Sequence, residues 1–151
     1  MYRYEGSGLP NVFLKNGYEL VKTRYGNGVS VRNIPGLHRC LGMAIVDGNW
    51  PITPAEFKFL RLELELSQDS LGRILGCDQQ TIARWEKGRS KKIDAAAERL
   101  LRLVFRQTVS GDTEMAPLIE MLKKWDAVEP RETVLVASEK NDGWSAKSKA
   151  A

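Results

Sequence analysis

Apolar residues recur at helical spacing between residues 53 and 106, and this pattern predicts a bundle of short helices. The first helix is predicted to start after Thr53, where a first-turn proline and a capping-box glutamate follow the cap. It should run to about Leu66, with apolar side chains over most of its surface, so neighbouring elements must cover it. Later helices are predicted from Asp94 and from Asp112, each with one apolar stripe facing inward.

Two shorter helices are predicted between these, at residues 68–76 and 79–88. Ser67 and Asp78 are N-cap residues directly ahead of them. Each helix has a single apolar stripe, and helices this short and close bury both stripes only by crossing steeply, as in a helix-turn-helix. Gly72 falls where one helix approaches the other. The polar residues that remain on the outer face of the second helix are Gln79, Gln80 and Arg84.

This stretch resembles the Cro/CI-type, or XRE, helix-turn-helix family. The matching positions are Gln68, Leu71, Gly76, Ile82, Trp85, Glu86 and Gly88. The family usually has alanine where this chain has Gly72, which exchanges one small residue for another. The resemblance covers roughly residues 53–106 and implies a five-helix, lambda-repressor-like DNA-binding domain.

The resemblance also implies roles for individual residues. Base contacts are expected from Gln79, Gln80, Thr81 and Arg84, and the chemistry agrees, because glutamine can pair with adenine and arginine with guanine in the major groove. Glu86 is expected either as a buried acid holding Arg84 or a nearby helix end, or as one half of a surface ion pair. Phosphate contacts are expected from Gln68, Lys87, Arg89, Lys91 and Lys92.

Positive charge is concentrated directly after the second motif helix. The chain of 151 residues has a formal net charge of +4. Residues 84–92 contain five basic side chains against Glu86 alone. A polyanion docking at that helix is the natural inference, whereas the same cluster standing alone would indicate a solvated basic loop.

The chain before residue 53 has a different pattern. Residues 1–35 read as strands and turns, with Asn16-Gly17 as a hairpin signal, and predict a three-stranded antiparallel meander. A short amphipathic helix is predicted between Leu37 and Ile45. The expected architecture is therefore mainly α. It comprises a small antiparallel β module with a short helix (1–52), the helix-turn-helix domain (53–128), and a tail with one possible strand followed by flexible residues (129–151).

Catalytic and metal-binding residues are scarce. Cys40, Cys77 and His38 are too few and too badly spaced for a zinc site, and His38 has no catalytic partner at a recognisable spacing. No phosphate-binding loop or hydrolase motif is present, so neither an enzyme nor a cofactor is expected. No apolar run reaches the ~20 residues of a membrane span, and the start lacks the apolar core of a signal peptide, so a cytoplasmic protein is expected.

These observations favour a prokaryotic or phage-like regulator that binds double-stranded DNA, most simply a homodimeric repressor on a pseudo-palindromic operator. One alternative is an antitoxin, because the order of the two parts is similar to that of MqsA-like antitoxins. In that case residues 1–52 would neutralise a toxin protein, although this chain lacks the paired zinc cysteines of those antitoxins. The other alternative is a protein-interaction module that has lost DNA binding.

Overall fold

The computed structural model describes residues 1–89, 92–111, 133–141 and 143–150. Within these ranges the helices are α1 (Ile34–Asp47), α2 (Pro54–Glu63), α3 (Gln68–Leu75), α4 (Gln79–Glu86) and α5 (Ala95–Val109). The strands are β1 (Tyr2–Arg3), β2 (Phe13–Leu14), β3 (Tyr18–Thr23), β4 (Gly26–Val31), β5 (Thr133–Lys140) and β6 (Gly143–Ala150). The predicted mainly helical chain with a small antiparallel β module at its start is confirmed.

Side-chain caps fix where the helices begin. Thr53 and Glu56 form the predicted capping box, in which the Thr53 amide donates to Glu56 Oε1 at 2.9 Å and the Glu56 amide donates to Thr53 Oγ1 at 3.2 Å. Asp94 caps α5 with its side chain alone, accepting from the amide of Ala97 at 3.0 Å. The helix α2 ends at Glu63, slightly before the predicted end, because Glu65 adopts a left-handed conformation with φ of 57°.

Two predictions about helices need further comment. The helix α1 begins at Ile34 rather than near Leu37, because the side chain of Asn33 accepts from the amide of Gly36 at 3.2 Å and so caps the helix one turn earlier. The helix predicted after Asp112, which completed the five-helix count of the DNA-binding domain, lies outside the described residues.

The predicted three-stranded meander is wrong in one of its two pairings, because β2 does not pair with β3. β1 pairs with β2 and β3 pairs with β4, both antiparallel, and each pair forms its own two-stranded sheet. The chain reverses between β3 and β4, from Thr23 to Gly26, and not at Asn16-Gly17. Gly17, with φ of 81°, instead lets its carbonyl accept from the amide of Arg32 at 2.9 Å, which closes the base of the β3–β4 hairpin.

The C-terminal segment also differs from the prediction of one possible strand followed by flexible residues. β5 pairs with β6 antiparallel, in a register from Thr133 opposite Ala150 to Lys140 opposite Gly143. β6 was hard to predict from the sequence because it is composed of small and polar residues with one tryptophan. That residue, Trp144, keeps 74% of its surface exposed.

Residues on both sides of position 52 share one hydrophobic core. The ring of Phe105 in α5, 2% exposed, lies directly over Gly42 in α1, where any side chain would collide with it. Arg102 of α5 donates to the carbonyls of Ile45 at 2.9 Å and Gly48 at 3.1 Å. It thereby supplies hydrogen bonds to carbonyl groups at the C-terminal end of α1, where helices leave carbonyls without partners. The division of the chain at residue 52 stays a prediction, but in the structure the two parts pack as neighbours.

A partly buried chain of three side chains adds a polar link between the same parts. His38 of α1 lies 2.8 Å from the Tyr4 hydroxyl through Nε2 and 2.7 Å from Glu63 Oε1 through Nδ1. In the neutral tautomer that fits both contacts, Nδ1 donates to the carboxylate and Nε2 accepts from the hydroxyl. Burial, followed by the negative charge of Glu63, raises the pKa of Tyr4. His38 therefore links the segment that follows β1 to α1 and α2.

Candidate nucleic-acid interface

The turn between α3 and α4 is built by local interactions. Ser67 accepts from the amide of Ser70 at 3.0 Å and starts α3, and Gly76 ends it in a left-handed conformation with φ of 78°. Asp78 then starts α4, because one carboxylate oxygen accepts from the Thr81 amide at 2.8 Å and from the Thr81 hydroxyl at 2.7 Å. The predicted caps of both motif helices are therefore present.

The apolar stripes of the two helices meet as expected for a helix-turn-helix. Leu71 and Ile82 are fully buried, and Trp85 is 8% exposed. The Trp85 ring packs edge-on against Phe57 of α2, with centroids 5.7 Å apart. Gly72 faces the turn so closely that an added Cβ would lie 2.6 Å from the carbonyl oxygen of Cys77. The turn therefore lies against α3 with no room for a side chain at this position.

The outer face of α4 carries the residues predicted to contact bases. Gln79, Gln80 and Arg84 are exposed, and Arg84 Nε donates back to the Gln80 carbonyl at 3.4 Å. Thr81 is half-buried, and its hydroxyl is committed to Asp78. The structure thus places three of the four on one accessible surface and the fourth at its edge.

The residues predicted to contact phosphate are more scattered. Lys87, Arg89 and Lys92 are exposed beyond the end of α4, while Lys91 lies outside the described residues. Gln68 is half-buried at the start of α3, where its Nε2 donates to Glu86 Oε1 at 3.3 Å. Gln68 is therefore held in a fixed position at the helix N-terminus, one N–H of its amide being engaged.

Glu86 is the residue whose partner the sequence did not reveal. It is held by Arg61 of α2, not by Arg84: Arg61 Nε donates to Oε2 at 2.7 Å and Nη2 donates to Oε1 at 2.9 Å. The remaining guanidinium nitrogen Nη1 donates to the Leu66 carbonyl at 2.9 Å. The two side chains are only 10% and 4% exposed. The available signal was an arginine on the apolar surface of α2, one turn after Phe57 and one turn before Leu64.

This buried pair fixes the orientation of α4. In a bidentate arginine–carboxylate pair, two parallel hydrogen bonds hold the guanidinium and the carboxylate in one relative orientation. The pair joins the C-terminal end of α4 to the last turn of α2, and Gln68 of α3 donates to the same carboxylate. Three helices therefore converge on Glu86, so the outer face of α4 is presented in a single orientation.

Two titratable groups at the turn are perturbed. Hydrogen bonds from the Thr81 hydroxyl and amide, with a smaller effect of Arg84, lower the pKa of Asp78. A lowered pKa means that the charged cap persists throughout the neutral range and weakens only in acid, below the usual pKa of the carboxyl. Burial, followed by the charges of Asp78 and Asp94, raises the pKa of Cys77, so this cysteine remains a thiol at neutral pH.

The described ranges contain neither a metal-binding cluster nor a membrane-spanning helix. No cluster of three or more histidine, cysteine, aspartate or glutamate side chains there is arranged to hold a metal ion. None of the helices in the same ranges has both the length and the apolar character required to cross a bilayer.

Comparison with known proteins gives one match. Residues 57–103, which contain most of α2, all of α3 and α4 and much of α5, match a family model described as helix-turn-helix. No curated protein and no solved structure matches significantly. Residues 57–103 are thus a DNA-binding domain that belongs to the Cro/CI-type, or XRE, helix-turn-helix family.

Proposed function

We propose that this protein is a transcriptional repressor that reads a specific double-stranded DNA site by inserting α4 into the major groove. The observation that carries the proposal is the accessible surface of Gln79, Gln80 and Arg84 on a helix whose orientation is fixed from behind by the Arg61–Glu86 pair. A helix used for sequence recognition needs both free polar side chains on one face and a rigid support on the other.

The base-reading chemistry follows from the side chains themselves. A glutamine amide can accept from N6 and donate to N7 of adenine, and the guanidinium of Arg84 can grip O6 and N7 of guanine. Each such pair supplies about 1–3 kcal/mol of discrimination between bases. Thr81 has its hydroxyl engaged by Asp78, so its part in recognition is an apolar contact of its methyl group with a thymine methyl.

Phosphate contacts position the domain on the duplex. Lys87, Arg89 and Lys92 supply exposed cations beyond the C-terminal end of α4, and Lys91 adds a fourth in the sequence. Gln68 sits at the start of α3, where free backbone N–H groups favour an anion. Because phosphate oxygens only accept hydrogen bonds, Gln68 would use the amide N–H that Glu86 leaves free.

A single helix-turn-helix unit buries too little surface for tight specific binding, so the active form is proposed to be a homodimer. Its two copies of α4 would meet half-sites about one helical turn (~34 Å) apart on a pseudo-palindromic operator. Bound across a promoter, such a dimer excludes polymerase by occupying the same DNA. The antitoxin alternative keeps this DNA-binding role and adds a toxin bound by residues 1–52. Because the DNA-binding proposal rests on α4, it holds for both.

Substitutions at base-contacting and phosphate-contacting residues should separate their roles. Gln80→Ala is expected to reduce discrimination at one base pair by about 5- to 150-fold, corresponding to 1–3 kcal/mol, and to leave binding to unrelated DNA nearly unchanged. Lys92→Ala is expected to weaken binding to all sequences alike and to lower the slope of log affinity against log salt by about 0.9. Fluorescence anisotropy titrations over a series of salt concentrations measure both quantities.

Arg99→Ala provides the control, since Arg99 is an exposed cation on α5 that is not among the residues assigned to DNA contacts. It should change neither base preference nor the salt slope. Indistinguishable effects of Gln80→Ala and Lys92→Ala would contradict the assigned roles. Binding that is insensitive to salt would contradict DNA binding altogether and favour a protein-interaction module.

A further inference from the structure

The β3–β4 hairpin projects away from the core. Its base is anchored, because Tyr18 and Val31 pack against core residues and the ring of Tyr18 lies 5.2 Å from that of Tyr2. Beyond this first pair the exposure rises sharply: Leu20 is 81% exposed and Tyr25 is 95% exposed. The six residues of each strand therefore form an arm about 17 Å long, at roughly 3.3 Å per residue, that the core does not require.

The tip of this arm (residues 22–27) has a defined shape. The Thr23 hydroxyl donates to the carbonyl of Gly26 at 2.7 Å and accepts from the amide of Tyr25 at 3.3 Å. Gly26 has φ of 124°, a conformation that other residues rarely adopt. The side chains at the two central turn positions, Arg24 and Tyr25, are consequently displayed from a preorganised turn.

The tip is also positively charged, and no acidic residue of the same segment offsets the charge. The chain from Lys22 to Arg32 contains three basic residues and no acidic residue. Lys22 and Arg24 are exposed, and the ion pairs found among the described ranges include neither of them. Exposed cations on a rigid β-ribbon suit the phosphates that border a DNA groove, and β-ribbons are narrow enough to follow one.

The arm lies within reach of DNA bound at α4. The loop between β1 and β2 lines the same surface cleft as Lys87 and Gly88, through its residues Gly6 and Gly8. The extended chain from that loop back through β1 to Tyr2 is roughly 16 Å long. Tyr2 lies at the base of the arm, because its ring contacts that of Tyr18. The contact between the Tyr2 and Tyr18 rings adds 5.2 Å and the arm adds its own length, so the tip lies within roughly 40 Å of the cleft that Lys87 lines, a little more than one helical turn of DNA (~34 Å).

We propose that the tip of the β3–β4 hairpin is a second DNA-binding element, in which Lys22 and Arg24 grip phosphates of the duplex that flanks the site read by α4. The inference rests on the proposed DNA-binding function and adds a contact outside the helix-turn-helix domain. Because the contact is to phosphates, it contributes affinity and register without base specificity.

The test is a salt titration of the full chain with a duplex of arbitrary sequence and about 40 base pairs, more than one helical turn on either side of α4. Removing two phosphate contacts by Lys22→Ala/Arg24→Ala should lower the slope of log affinity against log salt by about 1.8. Between about 50 and 200 mM salt the wild-type protein should then lose about ten-fold more affinity than the variant. The exchange Lys22→Arg/Arg24→Lys, which keeps both charges, should restore the wild-type slope.

A matched control removes the same charge elsewhere. Arg39→Ala/Arg99→Ala takes two exposed cations from α1 and α5 and should leave the slope unchanged. Equal slopes for the hairpin variant and the wild-type protein would overturn the inference and assign the exposed arm, with its apolar Leu20 and Val29, to a protein partner. A wild-type protein that does not bind the duplex would overturn the proposed function as well, so the two failures are distinguishable.

Discussion

Replacing Glu86 with alanine is expected to lower the free energy of unfolding by about 3–5 kcal/mol. The substitution leaves the guanidinium of Arg61 buried without its carboxylate, and a buried, unpaired charge costs far more than the loss of an exposed ion pair. The magnitude follows from the geometry, in which both side chains are nearly buried and joined by two hydrogen bonds of 2.7 and 2.9 Å. Urea denaturation monitored by tryptophan fluorescence, to which Trp85 contributes, measures this free energy.

Two further variants control this prediction. Asp69→Ala breaks the exposed Arg73–Asp69 pair, at 3.3 Å, and should cost about 1 kcal/mol or less. Arg61→Met/Glu86→Leu removes both buried charges together and should recover most of the stability lost in Glu86→Ala, since an apolar pair of similar volume replaces a buried ion pair at little cost. A loss from Glu86→Ala no larger than that from Asp69→Ala would show that the pair does not hold α4 in place.

Replacing Phe105 with alanine is expected to lower the free energy of unfolding by about 3–5 kcal/mol, as for other buried aromatic residues. The ring fills the space above Gly42, so its loss leaves a cavity between α1 and α5 that neither helix can close from its own side chains. The protein should still unfold in one transition, because residues on both sides of position 52 share a core. Urea denaturation monitored by far-ultraviolet circular dichroism and by fluorescence measures both properties.

Leu103→Ala is the matched control on the same helix, because Leu103 is 59% exposed. Its cost should stay within about 0.5 kcal/mol, as for other surface substitutions. Two separate transitions in the wild-type protein, with Phe105→Ala affecting only one, would contradict a common core and favour residues 1–52 as an independent unit.

The sequence predicted best where structure depends on neighbouring residues. The caps formed by Thr53, Ser67, Asp78 and Asp94 each involve a side chain and an amide three residues later, so spacing alone identified them. The apolar stripes of α3 and α4 were equally readable, because helical periodicity determines which side chains share a face.

Prediction from the sequence failed where the decisive contact joins residues that are far apart along the chain. The partner of Glu86 lies 25 residues away, on a helix whose contact with α4 no local pattern specifies. The hairpin predicted at Asn16-Gly17 failed for a similar reason: the dipeptide is a strong turn signal, but β2 pairs with β1 and the Gly17 carbonyl accepts from the Arg32 amide instead. The surface of Gln79, Gln80 and Arg84 was predictable as an exposed face, and its DNA contacts stay a proposal.

Selection of bound sites from random DNA duplexes tests the central claim most directly, which is that the exposed face of α4 reads bases. The wild-type protein should enrich paired half-sites about one helical turn (~34 Å) apart, with adenine and guanine at fixed positions. Gln79→Ala/Gln80→Ala should lose the adenine preference while Arg84→Ala loses the guanine preference, each without changing the half-site spacing. Enrichment of the same sequence by the wild-type protein and all these variants, or no enrichment by any of them, would contradict the account.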